Sequence, residues 1–314
     1  MTLDQVKGYI IKYNPKQLCF EGGEPLMVPP SFYIELFSWI DNNPDLRIEH
    51  IGITSNLWPF YKNPEKWVPV LSHNKVHLST SFQYGTGRKI TDNKVYTEHD
   101  FISVIEKVKQ YIPQQYPLTF ISVISDENSQ TIAQTIQLAK RLGLYVKINP
   151  AYPVGRVVHG YPLDKMIEIY TDIIISGNHD IEDNCGTLMR LLFGIPEHTC
   201  MWNIDCSQGM RTINPDGVVS VCSMDNSQAY QSTLKGIPII TNDKGEHDIT
   251  KDSNAVLVST QCLSCQWYRV CNSCHMHIRQ IKNMTPQRRK QHCQTIAKCC
   301  NTIISYMKEH TIEV

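Results

Sequence analysis

Apolar positions in the first half of the chain follow two spacings, one typical of amphipathic helices and one typical of short buried strands. Helical spacing covers residues 3–13, 30–39, 100–112 and 129–142. Runs rich in β-branched residues predict strands at 17–21, 50–54, 76–80, 119–124 and 144–148. Because helices and strands alternate, the pattern predicts βα units and a five-stranded parallel sheet.

The helix over residues 129–142 has the clearest ends. Ser129 is a suitable N-cap, and Gly143 directly follows the last apolar position, where a left-handed residue commonly ends a helix. The sequence therefore predicts a helix that begins at Ser129 and stops at Gly143.

The second half of the chain is less regular. Residues 163–194 have helical spacing, and a final helix is predicted from Cys293 to about residue 310. Between them, residues 210–213 and 218–221 flank Asn214-Pro215-Asp216-Gly217, a turn sequence in which Gly217 can adopt the positive φ of a hairpin. We expect the hairpin to carry Cys206 and Cys222 near its open ends, and residues 241–253 to form a mobile loop.

The balance of charges argues against a polyanionic partner. Among 314 residues, 30 basic side chains are matched by 30 acidic ones, so no net field would attract nucleic acid or an anionic membrane. The one basic cluster, Lys282 with residues 288–290, is interpreted as a solvated face. No apolar stretch is long enough for a membrane helix, and the amino terminus has no secretion signal. We therefore expect a cytoplasmic protein that contacts neither nucleic acid nor membrane.

Twelve cysteines in a reducing compartment favour metal binding over disulfides. Eight of them form a spaced array: Cys200-x5-Cys206-x10-Gly217-x4-Cys222, Cys262-x2-Cys265-x5-Cys271-x2-Cys274, and Cys293. Thiolates bind zinc or iron-sulfur clusters in sets of four, so the array would fill two sites. The five residues between the C-x2-C pairs are fewer than zinc modules usually have, which favours iron-sulfur. The remaining four, Cys19, Cys185, Cys299 and Cys300, are predicted to be buried thiols.

Short motifs stand at the ends of the predicted strands. These are Phe20-Glu21-Gly22-Gly23-Glu24-Pro25-Leu26, Thr54-Ser55-Asn56, residues 76–81, and Asn149-Pro150 with Gly155-Arg156. Together they resemble the GGEP motif and later strand ends of the radical S-adenosylmethionine enzymes, which implies an α/β fold with a partial (β/α) TIM-like barrel lacking its first strand. The resemblance also implies contacts with S-adenosylmethionine from Gly22, Gly23, Glu24, Pro25, Ser55, Asn56, Ser79, Ser81, Asn149 and Arg156. Ser81 stands where the family usually has Asp, and Leu57 stands where it usually has Gly.

The cysteine array is similar to the SPASM domain that follows the barrel in radical S-adenosylmethionine peptide maturases. By position, the resemblance implies two auxiliary [4Fe-4S] clusters, an inner one on Cys200, Cys206, Cys222 and Cys274 and an outer one on Cys262, Cys265, Cys271 and Cys293. One spacing departs from the family, because Cys271-x2-Cys274 replaces the usual x3. The expected domains are a partial barrel over 1–160, a helical bridge over 161–199 and a SPASM domain over 200–314.

The family's radical-generating cluster needs a C-x3-C-x2-C loop after a first strand, and neither feature is found in this sequence. Cys19 is the only cysteine before Cys185, and one thiolate cannot hold a cluster that needs three. Loss of the first strand would leave residues 17–21 as a bare sheet edge, which favours truncation as the explanation. We expect a third [4Fe-4S] cluster only if a preceding segment supplies its ligands. A natural degenerate paralogue is the rival explanation.

The resemblance implies a peptide or protein maturase. Its 5'-deoxyadenosyl radical would abstract hydrogen from a substrate side chain, and flavodoxin or ferredoxin would supply electrons. Related maturases use an Asp after the second hairpin cysteine as base; here that position is Ser223, so Asp225 is the candidate. The alternatives are a non-catalytic iron-sulfur protein that binds peptides or transfers electrons, and a structural zinc protein.

Overall fold

The structure is a computed structural model, and it describes residues 1–85, 87–91, 94–152, 160–195, 197, 199–203, 209–215, 217, 219–220, 222, 262, 264–271 and 274–312. The chain forms two compact units. The first comprises Met1–Val123 with Glu127–Asn149, and the second comprises Ile124–Asp126 with Pro150–Val314. Our division into barrel, bridge and SPASM domain stays a prediction.

A parallel sheet organises the first unit. The strands are β1 (Gln17–Phe20), β2 (His50–Ser55), β3 (Val76–Ser81), β4 (Lys89–Thr91), β5 (Lys94–Val95), β6 (Thr119–Ile124) and β7 (Tyr145–Pro150). The five-stranded sheet has the order β1-β2-β3-β6-β7, and β4 with β5 forms a separate antiparallel hairpin. The predicted α/β fold and all five predicted strands of the sheet are confirmed.

The helices of the first unit lie between these strands in the chain. They are α1 (Leu3–Tyr13), α2 (Pro30–Asp41), α3 (Trp58–Lys62), α4 (Pro64–Leu71), α5 (Glu98–Tyr111) and α6 (Ile132–Leu142). The prediction for α1 is confirmed at both ends, and Thr2 caps it with a complete capping box. Apolar periodicity alone does not separate α3 from α4, and neither helix was predicted.

The predicted start of α6 is wrong. Residues Ser129–Thr131 form a 3-10 turn, α6 begins at Ile132, and its N-cap residue Thr131 makes no side-chain capping bond. Asn128 accepts the Thr131 hydroxyl hydrogen bond at 2.7 Å, which holds this side chain away from the capping position. The predicted end is confirmed, because Gly143 has a left-handed φ of 61°.

The core of the first unit forms because the helical apolar positions and the strand positions are buried together. In α2, Tyr33, Leu36, Phe37 and Ile40 are almost completely buried. In the sheet, alternate residues of β2 and β3 are buried. Each such aliphatic or aromatic side chain contributes about 1.5–3 kcal/mol to folding. The buried layer fixes the register of the strands and therefore the positions of their carboxyl ends.

The second unit contains helices and one small hairpin. Its described elements are α7 (Leu163–Ile175), α8 (Asp183–Leu192), β8 (Thr212–Ile213), β9 (Val219–Ser220), α9 (Tyr268–Cys271), α10 (His275–Lys282) and α11 (Pro286–Glu309). The predicted hairpin is confirmed: β8 and β9 pair antiparallel, and Gly217 has a φ of 84°. The predicted mobile loop over 241–253 lies outside the described residues.

Two predictions for this unit need correction. The final helix begins at Pro286 rather than Cys293, because Thr285 accepts the Arg288 backbone N–H at 3.2 Å as an N-cap. The basic cluster is not a uniformly solvated face, since Arg288 pairs with the buried Asp164. Within the described part of the chain, no helix combines the length and apolar character needed to cross a membrane.

Candidate functional sites

The GGEP turn at the carboxyl end of β1 has a defined conformation. Gly22 and Gly23 have positive φ values of 80° and 56°, which an L side chain rarely adopts. The buried Tyr33 hydroxyl donates to the Pro25 carbonyl at 2.8 Å and so anchors the turn to α2. Backbone groups of the turn are exposed at the glycines, while Pro25 is buried.

Glu24 connects the ends of two neighbouring strands. Its Oε1 accepts hydrogen bonds from the Ser55 hydroxyl and from the Leu26 backbone N–H at 3.1 Å. Its Oε2 accepts from the Asn56 backbone N–H at 2.9 Å. A carboxylate that accepts several hydrogen bonds fixes its partners more firmly than a neutral acceptor would. Glu24 therefore sets the distance between the GGEP turn and the Ser55-Asn56 turn.

The turn after β2 retains a left-handed residue although it has no glycine. Leu57 has a φ of 58°, and its side chain is completely buried. The conformation costs a non-glycine residue roughly 1–2 kcal/mol, and burial of leucine contributes a similar amount. The Leu57 N–H donates to Ser55 Oγ and the Trp58 N–H to Asn56 Oδ1, both at 2.8 Å. The departure from glycine at Leu57 thus leaves the turn intact.

The two predicted serines of β3 have different partners. Ser79 shares a hydrogen bond of 2.8 Å with Thr54 on the adjacent strand, so its hydroxyl bonds within the sheet. Ser81 accepts a hydrogen bond from Arg88, which precedes the β4–β5 hairpin. Sequence reasoning missed Arg88, because a single Arg in a strand-end loop has no local signature.

Among the residues that the structure describes, Arg88 has no close anionic partner. No carboxylate of the described residues lies within ion-pair distance of its guanidinium. Burial lowers the pKa of Arg88, and the charges of Tyr96 and Glu24 oppose this shift. The guanidinium lies 5.8 Å from the Tyr96 ring centroid, in cation–π range. Arg88 is half-buried, and a half-buried guanidinium with no carboxylate close by among the described residues suits an anionic ligand.

A cavity of about 60 Å³ lies beside Arg88. Its lining consists of polar, cationic and aromatic residues and one aliphatic residue: Asn56, Trp58, Arg88, Lys89, Tyr96 and Ile90. The Tyr96 hydroxyl donates to the Asn56 carbonyl at 3.4 Å, which connects the hairpin to the Ser55-Asn56 turn. The space suits a carboxylate rather than a whole nucleotide. The residues present therefore fit the carboxylate group of S-adenosylmethionine.

Of the predicted cofactor residues that the structure describes, Asn56 alone lines this cavity. Asn149 is half-buried in β7, which forms the opposite edge of the sheet from β1. Arg156 lies outside the described residues, as does the candidate base Asp225. The GGEP turn connects to the cavity through the hydrogen bond between Glu24 and Asn56, and Ser81 connects to it through the unpredicted Arg88.

The second unit contains two neighbourhoods of thiols. In the first, burial raises the pKa of Tyr152 well above its ordinary value, and negative charge on Cys274, Cys200 and Cys222 raises it further. These three cysteines belong to the predicted inner set, whose fourth member, Cys206, lies outside the described residues. Tyr152 thus lies in the electrostatic neighbourhood of all three described members.

Buried donors lie in this first neighbourhood. Trp202 Nε1 and His277 Nδ1 are buried and have no hydrogen-bond partner among the residues that the structure describes. The His277 ring lies 6.5 Å from the Trp202 ring and 6.0 Å from the Tyr152 ring, centroid to centroid. Unpaired buried donors beside thiols fit a bound group with sulfur acceptors.

The second neighbourhood centres on Cys271. Burial raises the pKa of its thiol well above the ordinary value, and the charges of Cys300, Cys293, Cys265 and Cys262 raise it further. The last three, with Cys271, are the predicted outer set. In the described part of the chain, however, no three or more His, Cys, Asp or Glu side chains lie close enough together to hold a metal ion. The assignment of cluster ligands stays a prediction.

The cysteines outside the array are of two kinds. Cys185, Cys299 and Cys300 are buried, as predicted. The prediction for Cys19 is wrong, because this residue is exposed. Cys19 belongs to the edge strand β1, whose residues alternate between exposed and half-buried, and its sulfur lies on the exposed side over Gly52.

Comparisons with known proteins give similarity of fold. No protein-family model matches the chain, and no curated protein sequence matches it. The crystal structure of Streptococcus suis SuiB superposes with a TM-score of 0.51 and 14% identity over 91% of this chain and 69% of that one. The structure of SuiB bound to S-adenosylmethionine gives a TM-score of 0.53 and 15% identity over 94% and 70%. At this identity the similarity establishes a shared fold.

Proposed function

We propose that this chain forms the cofactor-binding sheet and the auxiliary iron-sulfur domain of a radical S-adenosylmethionine peptide or protein maturase. One observation carries the proposal. All eight cysteines of the SPASM-like array belong to the second compact unit, whereas the GGEP turn belongs to the first. Similarity of fold to SuiB, which binds S-adenosylmethionine in one crystal structure, supports the same reading.

In the first unit, the residues of this chain would bind and orient the cofactor. Exposed backbone groups of Gly22 and Gly23 would take its amino group, and Glu24 would hold the turn in place. Arg88 and Ser81 would bind its carboxylate, because a guanidinium without an ion pair is a strong carboxylate ligand. When bound, S-adenosylmethionine would supply the radical chemistry that removes a hydrogen atom from a peptide side chain.

In the second unit, eight thiolates would hold two auxiliary [4Fe-4S] clusters. The buried donors Trp202 Nε1 and His277 Nδ1 would face the inner cluster's sulfurs, since hydrogen bonds to cluster sulfur compensate for their burial. The clusters would anchor a peptide or accept the product electron, with flavodoxin or ferredoxin as the external donor. These roles follow from the SPASM resemblance.

Iron counting on matched cysteine variants tests the cluster proposal. After anaerobic reconstitution we expect about eight iron atoms per chain. Cys271→Ala should lose about half of this iron, because one missing thiolate opens the outer cluster. Cys300→Ala is the matched control: this thiol is buried in the same neighbourhood but is not a predicted ligand, so its iron content should stay at the wild-type value. Equal iron loss in both variants, or stoichiometric zinc instead of iron, would contradict the proposal.

Cofactor cleavage separates catalysis from the alternative function. The reconstituted chain is incubated with S-adenosylmethionine and dithionite, with and without a peptide that supplies a C-x3-C-x2-C loop, and 5'-deoxyadenosine is measured. We expect the product only where the third cluster can form. Full iron loading without deoxyadenosine under either condition would favour a non-catalytic iron-sulfur protein that binds peptides or transfers electrons.

A further inference from the structure

A buried chain of polar side chains leads from the surface of the second unit to one predicted cluster ligand. Arg288 Nη1 donates to Asp164 Oδ2 at 2.7 Å, and Arg288 Nη2 donates to Asp164 Oδ1 at 2.6 Å. Asp164 Oδ1 lies 3.6 Å from His292 Nδ1, and His292 Nε2 lies 3.6 Å from Cys271 Sγ. The order is therefore Arg288, Asp164, His292, Cys271.

Three helices position this chain. Asp164 lies in the first turn of α7, and Cys271 is the last residue of α9. Arg288 and His292 lie four residues apart on α11, so both point from the same face of that helix. His292 is 1% exposed and Asp164 5% exposed. An arrangement this buried is held in one geometry.

The contacts show which nitrogen of the His292 ring faces Asp164 and which faces Cys271. Burial alone would raise the pKa of Asp164, but contacts with His292 and Arg288 outweigh it and hold this pKa well below its usual range. The ionised Asp164 carboxylate lies 3.6 Å from His292 Nδ1, which is a charge contact and not a hydrogen bond, and Nδ1 has no hydrogen-bond partner among the described residues. The Nε2 of the ring then faces Cys271 Sγ, and once that sulfur is an ionised metal ligand an Nε2–H can donate to it.

We propose that His292 is a positioning residue for the outer cluster: its Nε2–H donates to the Cys271 thiolate, and Asp164 and Arg288 hold the ring in that orientation. This inference rests on the proposed function of the outer cysteine set. A hydrogen bond to a ligating sulfur is stronger when the cluster is reduced, because the added electron increases the negative charge on the sulfur. The bond therefore raises the reduction potential of the outer cluster.

Asp164, His292 and Cys271 could also form a site in which His292 activates Cys271 as a nucleophile. The surroundings of Cys271 argue against this function. Reactive cysteines lie in accessible, electropositive sites that lower the pKa of the thiol. Here burial raises the pKa of Cys271, and the surrounding groups are mainly other thiols. The environment suits a ligand that ionises on binding metal.

The test compares His292→Leu with His292→Gln in the full reconstituted chain. Leu removes the donor, whereas the Gln amide can reach the same sulfur. The outer-cluster midpoint potential is measured by EPR-monitored redox titration, with inner-cluster signals removed by Cys274→Ala. We expect a lower potential in His292→Leu and recovery of most of the shift in His292→Gln. His310→Leu, at an exposed histidine that caps the carboxyl-terminal end of α11, should leave the potential at the wild-type value.

The outcomes separate this inference from the proposal on which it rests. If the Cys274→Ala chain binds no iron, the outer cluster and hence the proposed function fail. If it binds about four iron atoms but His292→Leu keeps the wild-type potential, only the role of His292 is overturned. A lower melting temperature with an unchanged potential would identify His292 as a packing residue. A lower potential that Gln does not restore would exclude the N–H···S hydrogen bond.

Discussion

At the residue scale, side-chain contacts show which residues near the GGEP motif can bind a ligand. The acidic residue of the motif, Glu24, is occupied by three donors from its own turn and the neighbouring one. Arg88 is the group with capacity left for a ligand, since its hydrogen-bond partner among the described residues is the neutral Ser81. We therefore expect Glu24 to hold the two turns in place and Arg88 to bind the carboxylate of S-adenosylmethionine.

Arg88→Met should weaken binding of S-adenosylmethionine by roughly 10–100-fold, because a carboxylate hydrogen-bonded to a guanidinium is worth about 1.5–3 kcal/mol. Met keeps much of the apolar stem. Isothermal titration calorimetry on wild type and variant would measure the change. Decarboxylated S-adenosylmethionine is the matched ligand: its affinity should be the same for both proteins. An equal loss for both ligands would show that Arg88 acts on the fold of the hairpin rather than on the carboxylate.

Glu24→Gln should destabilise the first unit by about 2 kcal/mol. All three partners of this carboxylate are donors, so the amide nitrogen of Gln would face at least one of them without an acceptor. Urea unfolding would measure the loss. Glu35→Gln is the control, because Glu35 is exposed and pairs only with Lys7 at 3.5 Å; such a pair contributes about 0–1 kcal/mol. Similar losses in both variants would contradict the proposed role of Glu24.

At the scale of elements, one ion pair joins the first turn of α7 to α11. Arg288 and Asp164 are 124 residues apart in sequence and form two parallel hydrogen bonds. The Asp164 side chain is 7% exposed, and the Arg288 side chain is 33% exposed. Removing one partner of a buried pair leaves an uncompensated charge, which is far more costly than loss of a surface pair. The position of α11, and with it Cys293, therefore depends on Asp164.

Asp164→Asn should lower stability at pH 7 by about 3 kcal/mol, and the deficit should shrink as the pH falls. The pKa of Asp164 is depressed in the folded chain. Its stabilising contribution is thus complete above the unfolded value of about 3.9 and is lost below it. Arg288, His292 and Glu168 are the charged or titratable groups around this pair.

Urea unfolding of the metal-free chain at pH 7, 5, 3.5 and about 2 would follow the Asp164→Asn deficit, because the contribution is lost between the unfolded pKa of about 3.9 and the much lower folded pKa. Asp172→Asn is the matched control, since Asp172 is exposed on the same helix α7. A deficit that stays constant down to about pH 2, or that grows as the pH falls, would show that the carboxylate charge of Asp164 is not the stabilising factor.

At the scale of the whole molecule, the two compact units have different candidate ligands. The first unit contains the GGEP turn and Arg88, and the second contains all eight array cysteines. A ligand that binds the folded state stabilises the unit that holds it. Each unit should therefore respond to its own ligand.

Hydrogen exchange measured by mass spectrometry would show this separation. S-adenosylmethionine should slow exchange at the ends of β1, β2 and β3, and iron with sulfide should slow exchange in α9, α10 and α11. Wild type and Arg88→Met would be compared: the variant should lose only the protection by S-adenosylmethionine. Iron-dependent protection confined to the first unit would refute the assignment of ligands to units.

The amino-acid sequence by itself determined the α/β architecture of the first unit. All five strands of its sheet were predicted, and α1 was predicted at both ends, because apolar periodicity and capping residues act over a few neighbouring positions. The start of α6 was missed, since Asn128 competes for the Thr131 hydroxyl in a way that propensity does not record. The cysteine spacings likewise predict metal binding from the sequence alone.

Only the tertiary structure revealed Arg88 and the row of side-chain contacts from Arg288 through Asp164 and His292 to Cys271. Arg88 follows an unremarkable loop sequence and gains its meaning from Ser81, Tyr96 and a cavity. Arg288 belongs to a run that sequence reasoning assigned to solvent, yet it pairs with a buried residue 124 positions away. Apolar periodicity indicates the secondary structure of a segment and which of its faces is buried. Which distant side chains share a buried space is decided by the packing of whole elements, so it is absent from any local pattern.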